Sequence, residues 1–334
     1  MAKPRVAITM GDPSGVGPEV VVKALATAQV RNSCHPVVVG DWNVLQRTLR
    51  RGHEQSYRLV RWQPGDPFPK KANQVPVYSV SQLSQAHASP GHPSVACGKA
   101  AYCYIKNATE LILSGSADAM ATAPISKSVL HLAGYRYPGH TELLAELSQT
   151  KECRMMLIGG RLRITLVTVH VPYRGVPKKL TRARILVTLE LTSRALREYF
   201  GCNRPRIAVA ALNPHAGEEG IFGAEEKATI APAVRDARRR GIRADGPYPA
   251  DSIFFQAVRG DFDAVICMYH DQGLIPLKLL SFFGGVTLTL GLPFVRTSVD
   301  HGTAYDIAGK NIADGSSMRE AILLAGKLSR QAQN

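Results

Sequence analysis

At 334 residues, 45% of them hydrophobic and 20% charged, the chain has the make-up of a globular protein large enough for two domains. Its net charge of +15 sits largely in short clusters, such as Arg238, Arg239 and Arg240, with no interleaved aromatics. That pattern reads as solvated helix faces and excludes an obvious nucleic-acid footprint. No apolar run reaches the roughly 18 residues of a membrane span, and the first residues lack the long apolar core of a signal peptide. Six scattered cysteines without a CxxC pair read as free thiols of a reducing cytoplasm.

Arg5 to Met10 reads as an apolar strand, and the turn GDPSGVGPE leads into a helix through Ala26, with Pro18 and Glu19 as first-turn residues. Val37 to Gly40 reads as a strand and Trp42 to Arg51 as a helix. The stretch 63–93, rich in Pro, Ser, Gln and Gly, reads as an irregular connection with one strand at Val75 to Val80. A helix is expected over Lys99 to Ser114, a short strand over Ala119 to Ala123, and a helix over Thr141 to Leu147. His140 and Thr141 stand at the start of that last helix, where backbone N–H groups favour an anion; a simple helix cap fits equally. Further helices are expected at Lys178 to Phe200 and Glu225 to Arg240. Repeated strand–helix alternation indicates a doubly wound α/β protein.

Three apolar, partly β-branched runs end in histidine-bearing polar segments: RITLVTVH at His170, IAVAALNPH at His215, and AVICMYHDQG at His270. In open parallel sheets, ligands bind beyond the carboxyl ends of strands. Three imidazoles delivered there suit zinc, cobalt, iron or nickel and leave a position open for substrate. Each histidine alone reads as a hydrogen-bonded loop residue, and their separation lacks a local signature such as HExxH. Asp251 and Asp271 are candidates for orienting an imidazole or relaying a proton, with Asp251 equally a helix cap.

The blocks ITMGDPSGVGPE, TAPISK, YPGHTE, HVPYRGVPKKLT, NPHAGEEGIFGAEE, GPYPADSIF, MYHDQGLIPLK and GLPFVRTSVDHGTA occur in this order along nearly the whole chain. In them the chain resembles the 4-hydroxythreonine-4-phosphate dehydrogenase (PdxA) family of pyridoxal 5′-phosphate biosynthesis. The resemblance implies a homodimer of two-lobed α/β/α subunits, similar to isocitrate and isopropylmalate dehydrogenases, with the active site in the inter-lobe cleft at the dimer interface. The first lobe is expected over 1–125 plus 285–334, and the second, with metal ligands and interface, over 126–284. The resemblance also implies NAD or NADP, one divalent metal (zinc, magnesium or cobalt) on His170, His215 and His270, and one ligand, His270, crossing the interface.

Substrate contacts carry over to His140, Thr141, Lys278 and Arg296, with Lys278 also a candidate catalytic residue. The HGTAYDIAGKN block is similar to the adenosine-binding loop of isocitrate-type dehydrogenases, which marks His301, Gly302, Thr303, Ala304 and Asp306 as cofactor contacts. Thr287 stands where the family usually has asparagine; its shorter hydroxyl lacks the amide's two donors, which bears on substrate choice. The implied substrate is a small phosphorylated hydroxy acid, 4-phosphohydroxy-L-threonine. The alternatives are D-threonate or D-erythronate 4-phosphate, or an aromatic cis-dihydrodiol. A three-histidine hydrolase or lyase accounts for the ligands but not for the HGTAYDIAGKN block.

Overall fold

The computed structural model describes residues 3–282 and 284–332. Twelve strands are found among them. In chain order these are β1 (Arg5–Thr9), β2 (His35–Asp41), β3 (Arg58–Arg61), β4 (Gln74–Ser81), β5 (Ala119–Thr122) and β6 (Arg154–Gly159). There follow β7 (Leu162–Leu166), β8 (Arg206–Ala210), β9 (Arg243–Tyr248), β10 (Ala264–Cys267), β11 (Val286–Leu290) and β12 (Val295–Val299). The chain divides into two compact units, Met1–Lys151 with Leu292–Asn334, and Glu152–Gly291.

In the first unit the strand order is β3-β4-β2-β1-β5-β12, parallel throughout. Parallel strands are covered on both faces, which is why β1, β5 and β12 read as near-continuous buried runs rather than as alternations. The covering helices start where their capping chemistry is. The Asp41 side chain accepts from Val44 N–H at 3.0 Å to begin helix Trp42–Arg51, and Ser94 does the same for Cys97 at the start of helix Val95–Leu113.

The second unit has the order β11-β6-β7-β10-β8-β9, with β11–β6 and β6–β7 antiparallel and the rest parallel. Strand period separates its two cores. On β8 and β10, Ile207, Val209, Ala264 and Ile266 face the helices Arg182–Phe200 and Ala231–Arg239. Their neighbours Ala208, Ala210, Val265 and Cys267 face Ile253 and Leu277 of the helices Ala250–Arg259 and His270–Leu280.

Several boundaries differ from expectation. The break expected after residue 125 falls after Lys151, because the helices Lys127–Leu132 and His140–Leu147 pack on helix Val95–Leu113. There Tyr102 and Tyr135 stack at 3.8 Å, and Gly98 leaves room for the Val129 carbonyl. The break expected before residue 285 falls after Gly291, since β11 pairs with β6, so Thr287 belongs to the second unit. The helix expected from Lys178 begins instead at Arg182, where Thr181 caps Arg184 N–H at 3.1 Å. β3 and β6, the latter pairing antiparallel with the expected strand β7, are additions to the expected elements.

Candidate functional site

β7, β10 and β8 are adjacent parallel strands, so the segments leaving their carboxyl ends emerge along one stretch of sheet edge. This adjacency makes neighbours of His170 and His270, a hundred residues apart in sequence. The rings of His170 and His270 have centroids 5.9 Å apart at an interplanar angle of 39°. His270 is the first residue of helix His270–Leu280 rather than part of a loop, and its Nδ1 lies 2.7 Å from Asp271 Oδ1. An aspartate on one imidazole nitrogen fixes the ring and directs the other nitrogen outward, as metal-binding histidines require. Gly273 lets this helix sit tight on the sheet, because a Cβ there would lie 2.4 Å from Ile164 Cδ1.

His215 follows β8 in a turn, Pro214–Gly220, in which His215, Ala216, Gly217, Glu218 and Glu219 all have φ between 39° and 79°. Its ring lies near Phe222, at 6.2 Å. Among the described residues of one chain, no three His, Cys, Asp or Glu side chains are grouped closely enough to hold a metal. The chain thus brings the His170 and His270 rings together, without completing a three-residue metal group among the described residues. Asp251 sits exposed in the first turn of helix Ala250–Arg259. Lys278 lies on helix His270–Leu280 with Nζ 5.3 Å from the Phe282 ring centre. Thr287 is buried on β11, opposite Leu157.

The first unit gathers a different set. Arg296 on β12 is 2% exposed, and its Nη2 donates to Thr122 Oγ1 at 2.6 Å. Burial presses its pKa down to about 9, with the Glu142 carboxylate pulling the other way, so it keeps its charge at neutral pH. His140 begins helix His140–Leu147, with Thr141 next to it. Its Nε2 is buried without a hydrogen-bond partner, and burial together with the Arg296 charge holds the imidazole well below its ordinary range. A neutral imidazole beside a buried guanidinium at a helix start is a setting that favours an anion. Thr122 and Glu142 were not singled out from the sequence; Thr122 opens the TAPISK block, whose role only contact with β12 reveals.

The GDPSGVGPE turn and the HGTAYDIAGKN loop, nearly 300 residues apart, pack together in the same unit. Val16 N–H donates to the Thr303 carbonyl at 2.9 Å, and Tyr305 Oη donates to Asp12 Oδ2 at 2.7 Å. Asp12 also receives the Ser14 N–H and hydroxyl, at 2.9 and 2.7 Å. A Cβ on Gly15 would lie 2.9 Å from the Thr303 carbonyl, so glycine permits the close approach. Beside this junction a pocket is lined by Gly15, Glu19, Arg47, Arg51, Gly309 and Asn311, among others. His301, Gly302 and Asp306 are exposed on the loop, Thr303 and Ala304 half-buried, with Ala304 at φ 39°.

The family model described as pyridoxal phosphate biosynthetic protein PdxA matches residues 32–325. The chain belongs to the PdxA family. It is 53% identical to 4-hydroxythreonine-4-phosphate dehydrogenase of Geobacter metallireducens, over 98% of this chain and 96% of the relative. It is 43% identical to D-threonate 4-phosphate dehydrogenase of Salmonella typhimurium, covering 97% and 98%. A crystal structure of 4-hydroxythreonine-4-phosphate dehydrogenase from Klebsiella pneumoniae superposes with a TM-score of 0.89 at 43% identity, covering 98% and 99%. Relatives with two different named substrates thus match this chain over nearly their whole length. The side chains that separate them must lie within a common frame.

Proposed function

We propose that this PdxA-family oxidoreductase oxidises 4-phosphohydroxy-L-threonine at its secondary hydroxyl to 2-amino-3-oxo-4-phosphooxybutanoate. That product, a β-keto acid, loses carbon dioxide to give 3-amino-2-oxopropyl phosphate. The observation that carries the reading is that a chain 53% identical to an enzyme of that name holds, in one unit, a buried cationic subsite of Arg296 with His140 and Thr122 and, in the other, strand-end histidines. When bound, a divalent metal supplies Lewis-acid polarisation of the hydroxyl and NAD or NADP takes the hydride.

His170, His215 and His270 are the residues that would hold the metal, and the Asp271 contact on His270 fits that role. Arg296 and Lys278 neutralise the substrate's phosphate and carboxylate, the arginine through its planar fork and the lysine as a point charge. His140 and Thr141 donate hydrogen bonds to the same anion. Asp271, or Asp251, relays the hydroxyl proton to solvent. The Asp12–Tyr305 contact holds the loop His301–Asp306 against the glycine turn, which supports these residues as the ones that would hold the cofactor.

The enzyme works as a homodimer in which the third imidazole comes from a second copy. Two features support this: among the described residues of one chain the three histidines do not form a metal-holding group, and the neighbouring elements expose Ile221, Phe255, Ile275 and Leu279. Among the described residues no helix is long and apolar enough to cross a membrane, and Cys34, Cys97 and Cys267 are buried free thiols, in keeping with a cytoplasmic enzyme. The second reading, oxidation of D-threonate or D-erythronate 4-phosphate, is favoured by Thr287, which offers no amide donor.

A panel of phosphorylated hydroxy acids and an aromatic cis-dihydrodiol, assayed by cofactor reduction with and without divalent metal, separates the two. The highest kcat/KM on 4-phosphohydroxy-L-threonine is expected, and replacing Thr287→Asn should move the ranking further towards it by a few-fold. A clear preference for D-threonate 4-phosphate establishes the second reading instead.

A further inference from the structure

Between β8 and helix Ala231–Arg239 the chain forms a closed arch, residues 212–227. Four non-glycine residues in it, His215, Ala216, Glu218 and Glu219, occupy the left-handed region in near succession. L residues are disfavoured there because Cβ crowds the following carbonyl, so such a run persists only where its surroundings hold it.

The holding contacts converge on one carboxylate. Glu226, 4% exposed, accepts through Oε1 from the N–H groups of Leu212 and Asn213, each at 2.8 Å, and through Oε2 from Asn213 Nδ2 at 2.9 Å. Glu225 Oε2 accepts from the same amide nitrogen at 2.8 Å. At the far end of the turn, Lys227 Nζ donates to the Glu219 carbonyl at 2.5 Å and pairs with its carboxylate at 2.7 Å. Two glycines allow closure. A Cβ at Gly217 would lie 2.7 Å from Glu226 Oε2, and one at Gly223 would lie 2.4 Å from Asn213 Nδ2.

A buried carboxylate is tolerated only when its acceptor capacity is met, and here it is met by the two residues that precede Pro214 and His215. Proline then fixes the next φ, so the direction in which the chain enters His215 follows from the grip on 212 and 213. We infer that Glu226 is a positioning residue for His215, presetting the turn that presents its imidazole. The inference rests on the reading of His215 as a metal ligand.

The test uses the metal-free full-length enzyme titrated with cobalt(II), whose visible absorption bands report ligand geometry, together with amide hydrogen exchange. Glu226→Gln keeps the Oε1 acceptor but turns an N–H group towards the Asn213 amide. By loosening the residues that lead into His215, it should weaken cobalt binding by up to roughly ten- to a hundredfold, the cost of losing a group bonded directly to a ligand. Altered cobalt bands and faster exchange over 212–223 should accompany it, with global unfolding close to wild type. Glu225→Gln, which touches no backbone N–H, should act in the same direction by less, and it decides the matter if Glu226→Gln does not fold.

Wild-type cobalt affinity and bands in the glutamate variants, beside a His215→Ala enzyme that has lost cobalt, overturn the positioning role and leave the metal reading standing. A His215→Ala enzyme that binds cobalt as wild type does overturns the metal reading and this inference with it.

Discussion

The two units bring their functional side chains forward in opposite ways. In the first, Arg296 lies within an all-parallel sheet, buried, bonded to Thr122 and next to an imidazole that burial keeps neutral. In the second, the histidines stand beyond the strands, with the His270 side chain 36% exposed and His215 on a left-handed turn outside the core. A buried cation is preorganised by packing, and its field is little screened, so it can recognise an anion without further assembly. Exposed imidazoles on strand-end segments depend on what fixes each segment, and among the described residues of one chain the three do not form a metal-holding group. The first unit thus holds its cation ready-made by packing, while the proposed metal site would depend on what fixes each histidine segment and, in the proposed homodimer, on a second copy.

The sharpest way to break this contrast is His215→Ala. Loss of a ligand should remove bound metal and lower turnover by roughly a thousandfold or more, since Lewis-acid stabilisation contributes several kcal/mol. Metal content, rate and circular dichroism, measured together, should show metal and activity lost with the fold kept. Retained metal and activity would place the chemistry elsewhere.

Subunit mixing follows. His215→Ala and His270→Ala enzymes, each inactive, should regain a substantial part of their activity once exchanged into heterodimers, because one of the two hybrid sites is complete. The His170–His270 pair within one chain predicts no such recovery for His170→Ala mixed with His270→Ala. Recovery in that second mixture assigns the crossing ligand to His270, as the family resemblance implies. No recovery in either mixture, with exchange verified, counts against a shared site.

Arg296→Ala probes the other unit. A charge-assisted hydrogen bond contributes roughly 1.5–3 kcal/mol, so kcat/KM should fall about ten- to a hundredfold for the phosphorylated substrate. The loss should shrink for an analogue lacking the contacted anion. Equal losses with both would show that Arg296 serves the fold alone.

The smallest effect concerns pH. The folded-state pKa of His140 is depressed, so the unfolded chain binds more protons here between that value and the ordinary 6.5. Stability from this group is therefore present above about pH 6.5 and is lost as pH falls towards the folded pKa. His140→Asn should flatten the fall in Tm between pH 7 and pH 5, and an unchanged slope would show that the imidazole is not held neutral.

Much of this architecture is written locally. Helix Trp42–Arg51 and strands β1, β5 and β8 follow from apolar runs, an aspartate cap and turn residues lying next to one another in the chain, where short-range sterics and hydrogen bonding decide. The candidate ligands were legible too, because each histidine closes an apolar run. Other features were decided only by contact between distant segments. The order β7-β10-β8, set by packing rather than by chain order, makes neighbours of His170 and His270. β12 gives Thr122 its role beside Arg296, and β11 carries Thr287 into the second unit by pairing with β6. Nor does any local pattern announce that Glu226 reaches back to Leu212 and Asn213. The sequence by itself determined which segments become strands and helices and which polar groups stand at their ends. Which of those ends meet was left to the tertiary structure, because burying both faces of a sheet fixes strand order through the summed fit of many side chains.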